Sequence, residues 1–181
     1  MNIETDGLVI KTQKIGESDT LITVLTSKYG LIRAFVRRST AVKSNMLATT
    51  QLLSYNDFVF YKGKNSYSVT SATPKASFFK LNEDIDAMAI GFYLAELFGE
   101  LAPENHESED LLKLLLNSLY LMAEKKRPPV QVKAVAELRA LSNSGYMPNL
   151  VACENCGTYE SDPMFFNPAS GLLFCSNCGG P

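Results

Sequence analysis

The sequence predicts an α+β protein in three parts: a small five-stranded barrel, a bundle of helices and a ribbon that binds a metal ion. Three observations support this prediction. Short runs rich in β-branched and aromatic residues fill the first part, apolar residues recur at helical spacing in the second, and two Cys-x2-Cys pairs lie in the third. We therefore predict domains over residues 1–80, 81–149 and 150–181.

The overall composition is that of a globular protein. A chain of 181 residues with 46% hydrophobic and 20% charged residues forms an apolar core without needing disulfides, and it is not a disordered chain. No apolar run reaches the roughly 18 residues of a membrane-spanning helix. The acidic start lacks the apolar segment of a secretory signal. We expect a cytoplasmic protein that does not bind membranes.

The first domain contains five predicted strands, separated by turns that contain glycine or polar residues. The fifth strand is expected to end before Pro74, because proline cannot donate to a β-ladder. Short strands at this density are typical of a small closed barrel or a sandwich. The predicted strands are Gly7–Lys14, Asp19–Thr26, Leu31–Arg37, Leu52–Tyr61 and Tyr67–Thr73.

Three helices are predicted in the second domain. The first begins with Asn82 as its N-cap and acidic residues in its first turn, where the helix dipole favours negative charge, and it ends before Pro103. The second, at about Ser108–Glu124, is apolar nearly all round, which indicates burial between neighbours. The third covers Val130–Asn143 and ends at Gly145.

The third domain is predicted to bind one structural Zn²⁺ ion. Each Cys-x2-Cys pair forms a tight turn that supplies two thiolates about 2.3 Å from the metal, and Gly157 and Gly179 follow these turns, where positive φ is expected. An iron–sulfur cluster uses the same ligands and stays an alternative, whereas disulfides are rare in a reducing cytoplasm. Four sulfur ligands leave no open coordination position. The predicted ligands are Cys153, Cys156, Cys175 and Cys178.

Other features argue against an enzyme. His106, the single histidine, lies in a polar link beside glutamates, as expected of a solvated helix start rather than a catalytic base. The sequence contains no glycine-rich phosphate loop, nucleophile elbow or deaminase signature. We therefore predict that the protein is not an enzyme.

The charge is unevenly distributed along the chain. Residues 1–80 carry eleven bases and five acids, a net charge of +6, whereas residues 81–181 carry six bases and fourteen acids, a net charge of −8. This asymmetry indicates a module that binds a polyanion, the alternative being a chance difference between solvated faces. A curved sheet with cations and accessible rings suits single-stranded nucleic acid, because cations follow the phosphates and rings stack on the bases.

The predicted nucleic-acid-binding residues lie on the third strand, on the loop that follows it and near a hairpin tip. Tyrosines near turns are the preferred stacking residues, whereas the phenylalanines of the strands fit the barrel core better. The predicted binding residues are Arg33, Arg37, Arg38, Lys43, Lys11, Lys62, Lys64 and Tyr29, with Tyr61 and Tyr67 as further stacking candidates and Phe35, Phe58 and Phe60 assigned to the core.

Several short motifs follow one another along the chain. They are Gly7-Leu8-Val9-Ile10-Lys11-Thr12, Gly16-Glu17-Ser18-Asp19, Leu25-Thr26, Tyr29-Gly30, Arg37-Arg38-Ser39 with Lys43-Ser44, Tyr93-Leu94-Ala95-Glu96-Leu97 and Phe166-Asn167-Pro168-Ala169-Ser170-Gly171-Leu172. In this order they resemble the RecO family of bacterial recombination mediators over essentially the whole chain. The resemblance implies an N-terminal OB-fold domain, an α-helical domain and a zinc finger.

The resemblance also implies a function in DNA repair. Members would bind single- and double-stranded DNA, anneal complementary strands and help to load recombinase onto DNA coated by single-stranded-DNA-binding protein (SSB). The implied partners are RecR and the C-terminal tail of SSB, and the implied location is the nucleoid. The family's basic DNA-binding positions map to Arg33, Arg37, Arg38 and Lys43.

Two further expectations accompany this interpretation. The family usually continues with a helix beyond the cysteines that packs back on the bundle, whereas this sequence ends three residues after Cys178; it is either a short member or part of a longer chain, and in the second case the partner contacts that use that helix would be missing from it. The alternative function is a protein-interaction adaptor that does not bind DNA, in which the acidic helices and the zinc module dock a partner.

Overall fold

The computed structural model describes residues 1–15, 19–36, 48–64 and 66–179. The chain divides into two compact units, Met1–Ala140 and Leu141–Pro181, and the finer division into three domains stays a prediction. Within the described ranges, none of the helices combines the length and apolarity needed to cross a bilayer. The strands are β1 (Asn2–Ile15), β2 (Asp19–Thr26), β3 (Gly30–Val36), β4 (Ser54–Lys62), β5 (Tyr67–Ser77), β6 (Met164–Asn167) and β7 (Leu172–Cys175), and the helices are a 3-10 helix (Phe79–Glu83), α1 (Ile85–Leu101), α2 (Glu109–Ala123) and α3 (Pro129–Asn143).

Strands β1 to β5 form a closed barrel in the order β1-β2-β3-β5-β4, which confirms the predicted five-stranded OB-fold barrel. β1 pairs with both β2 and β4, and a register shift between Val9 and Lys11 marks a bulge. Because successive side chains of a strand point to opposite faces, Leu8 and Ile10 pack in the cluster that contains the helices, whereas Val9 packs inside the barrel.

The barrel interior contains the expected aromatic core. The rings of Phe58 and Phe60 are fully buried and stack with centroids 5.1 Å apart, which confirms their assignment to the core. On β3 the alternate residues Ile32, Ala34 and Val36 are buried. Phe35 has the opposite orientation and is only half-buried on the outer face, so its assignment to the core is wrong.

The fifth strand is longer than predicted. β5 continues through Pro74 to Ser77, so the prediction that it ends before the proline is wrong. Pro74 pairs with Asn56 of β4, next to a register shift in that ladder, and the pairing with β3 involves only Tyr67 and Ser68. The shift leaves Lys75 as an extra residue in β5, and a bulge is one of the places where a strand accepts proline.

The first helix starts later than predicted. Asn82 lies in the 3-10 helix, and Asp84 is the N-cap, accepting hydrogen bonds from the amides of Asp86 and Ala87 at 2.9 and 3.1 Å. The 3-10 turn occupies the residues that the pattern assigned to the helix start. The other two helices are confirmed, and Gly145 ends the last one with a φ of +82°.

Helices α1 and α2 cover the outer side of the barrel. Leu94 and Phe98 of α1 and Leu115 of α2 are fully buried in one cluster with Leu8 and Leu25 of the barrel. The predicted burial of α2 is therefore confirmed. Burying each of these side chains contributes about 1.5–3 kcal/mol, and the shared cluster fixes the helices relative to the strands.

Candidate nucleic-acid interface and metal centre

A groove of about 480 Å³ lies between β3 and the hairpin that joins β4 to β5. The parallel pairing of Ala34 with Tyr67 places the start of β5 beside β3, so side chains that are distant in the sequence line the same groove. We call it the basic groove and define it by the side chains that matter chemically: Arg33, Phe35, Lys62, Lys64, Tyr67 and Glu104.

Three cations line the basic groove. Arg33 lies 3.7 Å from Glu104, and both side chains are more than 60% exposed, so the attraction between them is weak. The ammonium of Lys62 lies 5.6 Å from the ring centroid of Tyr67. Among the described residues, neither Lys62 nor Lys64 is in an ion pair. The groove is therefore electropositive and open to an anion.

Aromatic rings lie beside these cations. Phe35 and Tyr67 are half-buried and line the basic groove. Tyr29 is also half-buried and packs against the barrel core, as does Tyr67, whereas Tyr61 is 51% exposed. Rings that are anchored on one side and open on the other can stack on bases while cations bind phosphates.

The structure places Lys11 outside the basic groove. Lys11 and Arg33 form the barrel side of a second groove of about 500 Å³, and Glu96 and Glu100 of α1 form its other side. Carboxylates repel a nucleic-acid backbone. Arg33 lines both grooves. Of the predicted binding residues, Arg33, Lys62 and Lys64 line the basic groove, whereas Lys11 and Tyr29 do not.

Three predicted binding residues cannot be placed. Arg37, Arg38 and Lys43 lie outside the described residues, so their assignment to DNA binding stays a prediction. Arg37 and Arg38 follow β3 directly in the chain, and β3 contributes Arg33 to the basic groove.

Other basic residues of the barrel region already have structural partners. Lys75 lies 3.2 Å from Asp57 and 5.0 Å from the ring centroid of Tyr55. Lys80 lies 2.8 Å from Glu124 of the connection between α2 and α3. The net charge of residues 1–80 therefore overstates the number of cations available to a polyanion.

A hydrogen-bond network joins β1, β4 and the turn between β2 and β3. The Asp6 carboxylate accepts hydrogen bonds from the hydroxyls of Ser27 and of Tyr55, the latter at 2.5 Å. Burial opposes ionisation of Asp6, but these hydrogen bonds prevail and lower its pKa. Burial and the bond to Asp6 raise the pKa of Tyr55.

Glu104 is the groove residue that the sequence does not reveal. It lies between α1 and α2, in the polar link that contains the exposed His106, and a main-chain β-bridge pairs it with Gly30 of β3. Polar residues before a helix usually indicate no more than a solvated loop. The sequence feature that could have indicated its position is the Tyr29-Gly30 pair, because a glycine lets another segment of the chain approach closely.

The four cysteines form one cluster. Their Sγ atoms all lie within 4.8 Å of one another, and Sγ of Cys156 lies 3.6 Å from that of Cys175. Four sulfurs about 2.3 Å from a tetrahedral Zn²⁺ lie roughly 3.8 Å apart, so the donor set and its spacing fit a metal ion. Cys153 and Cys175 are buried and Cys156 is exposed.

Main-chain hydrogen bonds hold the two cysteine turns in place. The Cys153 carbonyl accepts from the Gly157 amide at 2.9 Å, and the Cys175 carbonyl accepts from Cys178 and Gly179, both at 3.1 Å. Gly157 has the expected positive φ of +72°. Gly179 does not, so that expectation is wrong: it is close approach that favours glycine there, because a Cβ would lie 2.9 Å from Cβ of Phe174.

The environment of the thiols shifts their pKa values in opposite directions. The hydrogen bond between Cys156 and the Thr158 hydroxyl, at 3.2 Å, lowers the pKa of Cys156 to about 6. Hydrogen bonding to Cys156 raises the pKa of Cys178 to about 12. Crowded thiols retain protons because adjacent thiolates repel each other, and a divalent cation removes that repulsion.

Comparison with known proteins identifies relatives over the whole length of the chain. The family model "Recombination protein O N terminal" matches residues 1–78, and "Recombination protein O C terminal" matches residues 82–181. The boundary between the two matches coincides with the change from strands to helices.

Individual relatives agree with the family models. The DNA repair protein RecO of Acetivibrio thermocellus is 35% identical over 97% of this chain and 70% of its own length. The proteins of the same name from Alkaliphilus metalliredigens and Caldicellulosiruptor bescii are 34% and 35% identical, over 99% and 97% of this chain and 73% and 72% of their own lengths.

Proposed function

This chain belongs to the RecO family, and on that premise we propose that it is a mediator of DNA repair and recombination that binds DNA along the basic groove. It binds single- and double-stranded DNA, anneals complementary strands and, with RecR, assists recombinase loading on DNA coated by SSB, whose C-terminal tail is a second protein partner. Its place of action is the cytoplasm, at the nucleoid.

The observation that carries this proposal is the convergence of Arg33, Lys62 and Lys64 on one open groove with Phe35 and Tyr67. Neutralising three phosphates of a single strand gives a slope of about −2 for log K against log salt concentration. Arg37, Arg38 and Lys43 would extend the contact and make this slope steeper. Such contacts carry no base identity, as expected for a protein that acts on many sequences.

The four-cysteine cluster has a structural role in this proposal. Cys153, Cys156, Cys175 and Cys178 would hold a Zn²⁺ ion, which would fold the ribbon of β6 and β7 by linking the two cysteine turns. With four sulfur ligands, no coordination position is open to a substrate or a water molecule. The protein accordingly acts by binding and positioning strands, and we propose no catalytic residue.

Charge reversal of the basic groove tests DNA binding. The variant Arg33→Glu/Lys62→Glu/Lys64→Glu should lose most of its affinity for labelled oligo-dT in fluorescence anisotropy. The control Lys125→Glu/Lys126→Glu/Arg127→Glu changes the net charge equally in the connection between α2 and α3, outside both grooves. The control should bind nearly as well as the natural protein, and an equal loss in both variants would refute the proposal.

Affinity and salt give a second test. Between about 50 and 200 mM salt, a slope of about −2 predicts a loss of affinity of about 16-fold. No binding at the lower concentration, or an affinity that does not respond to salt, would contradict a phosphate-binding groove.

The second candidate function is a protein-interaction adaptor, and one observation favours it. Val130, Val135 and Leu138 of α3 are 71%, 48% and 44% exposed, which gives this helix apolar surface of the kind that partners bind. An adaptor would bind no oligonucleotide, and it would retain its protein partner after nuclease treatment.

A further inference from the structure

The connection between α1 and α2 is attached to β3 by main-chain hydrogen bonds. The Leu31 amide donates to the carbonyl of Pro103 at 3.2 Å, and the Asn105 amide donates to the carbonyl of Tyr29 at 3.0 Å. Glu104 lies between these two bonds and is bridged to Gly30. Because these bonds use the main chain, they fix the position of residue 104 whatever its side chain is.

Gly30 makes this close attachment possible. Its φ is +63°, and a Cβ at this position would lie 1.9 Å from the carbonyl oxygen of Pro103. Any other residue would push the connection away from β3. The backbone around Gly30 therefore determines where the Glu104 carboxylate enters the basic groove.

That carboxylate lies beside the one arginine that the described residues contribute to the groove. Oε1 of Glu104 is 3.7 Å from Nη2 of Arg33. A guanidinium binds carboxylate and phosphate oxygens with the same N–H groups. The carboxylate and a DNA phosphate therefore compete for the same donors.

We infer that Glu104 is a built-in competitor of DNA for Arg33, which weakens the hold of the basic groove on the phosphate backbone. This inference rests on the proposed function. When a strand enters the groove, the carboxylate gives up Arg33 to a phosphate and stays nearby as a source of repulsion. A protein that anneals strands must also release the duplex it has made, and a weaker contact favours that release.

The test is the Glu104→Gln variant of the full chain, with labelled oligo-dT as the probe over a series of salt concentrations. Glutamine keeps the size of the side chain and the main-chain bridge. We expect binding about two- to fivefold tighter, the range of an exposed ion pair. The slope of log K against log salt concentration should become steeper by less than about 0.7, the value of a whole phosphate contact on a single strand, because Arg33 contacts a phosphate in both proteins and only the salt-screened ion pair with Glu104 is lost.

Two further variants separate competition at Arg33 from a general effect of charge. Glu107→Gln removes the same charge from the same connection at a residue that lines neither groove, and it should leave the salt slope unchanged. In an Arg33→Gln background, Glu104→Gln should give a clearly smaller gain, because the contested donors are gone and only the repulsion between the carboxylate and the phosphates remains.

An equal gain from Glu104→Gln and Glu107→Gln, or a full gain without Arg33, would overturn the inference. If the natural protein binds oligo-dT with the expected salt dependence and Glu104→Gln has no effect, only the inference fails. If no variant binds at low salt, the proposed function fails and the inference falls with it. Thermal unfolding of each variant confirms that it is folded.

Discussion

Replacing Gly30 by alanine should lower the free energy of unfolding by more than the cost of a left-handed backbone conformation alone. A left-handed φ costs a residue with a Cβ about 1–2 kcal/mol. The φ of Gly30 is +63°, and the added Cβ would also lie 1.9 Å from the carbonyl oxygen of Pro103. Since that oxygen belongs to the main chain, no change of rotamer relieves the clash, and the connection must move.

The displacement breaks hydrogen bonds whose contribution is known approximately. The bonds from Leu31 to Pro103 and from Asn105 to Tyr29 flank the site, and each contributes about 0.5–1.5 kcal/mol. Together with the cost of the left-handed conformation, the loss of both bonds should lower the free energy of unfolding by about 2–5 kcal/mol. At an m-value of about 2 kcal/mol/M, the urea midpoint falls by about 1–2.5 M.

Gly145→Ala provides the matched control. Gly145 has a φ of +82°, and a Cβ there would have no atom within 4 Å, so only the conformational cost of about 1–2 kcal/mol applies. Urea unfolding followed by far-UV circular dichroism compares the two variants. If Gly30→Ala is no more destabilising than Gly145→Ala, the attachment of the connection to β3 contributes nothing and the reasoning is refuted.

Three further predictions concern the core, the Asp6 network and the cysteines. Leu115→Ala removes a fully buried side chain and should lower the free energy of unfolding by about 2–5 kcal/mol, measured in urea; a loss below about 1 kcal/mol would contradict its place in the core. Because the pKa of Asp6 lies below its ordinary 3.8 in the folded protein, the carboxylate stabilises the fold above that pH and loses this effect as the pH falls through the folded pKa. Asp6→Asn should therefore cost about 1–3 kcal/mol at pH 7 and progressively less below pH 3.8, and a pH-independent cost would contradict this account. Cys175→Ser should abolish stoichiometric zinc binding, measured by elemental analysis, whereas Ser176→Ala should not; full zinc content in Cys175→Ser would exclude the four-cysteine site.

The sequence was sufficient wherever the signal is local. Alternation of apolar residues placed the barrel strands, helical spacing placed α2 and α3, and two Cys-x2-Cys pairs indicated a cluster that the structure brings within 4.8 Å. Each of these patterns depends on neighbours a few residues apart. A period of two or of 3.6 residues, or a tight turn, is visible without knowledge of the rest of the fold.

The errors arose where a distant part of the chain determines the local structure. Pro74 stays in β5 because it lies beside a bulge in that strand, and because, among the described residues, only Tyr67 and Ser68 of β5 pair with β3. Phe35 was assigned to the core, but its neighbours Ala34 and Val36 take the inward positions. Glu104 was not singled out, because its approach to Arg33 depends on a bridge to Gly30 that no local pattern reveals.

The most direct measurement of phosphate binding in the basic groove is the salt slope of oligo-dT affinity in single variants. Arg33→Gln, Lys62→Gln and Lys64→Gln should each reduce the magnitude of the slope by up to about 0.7, the value of one phosphate contact on a single strand. Lys133→Gln, whose side chain pairs with Glu137 at 2.8 Å on α3, should leave it unchanged. Four identical slopes would show that DNA does not bind in this groove.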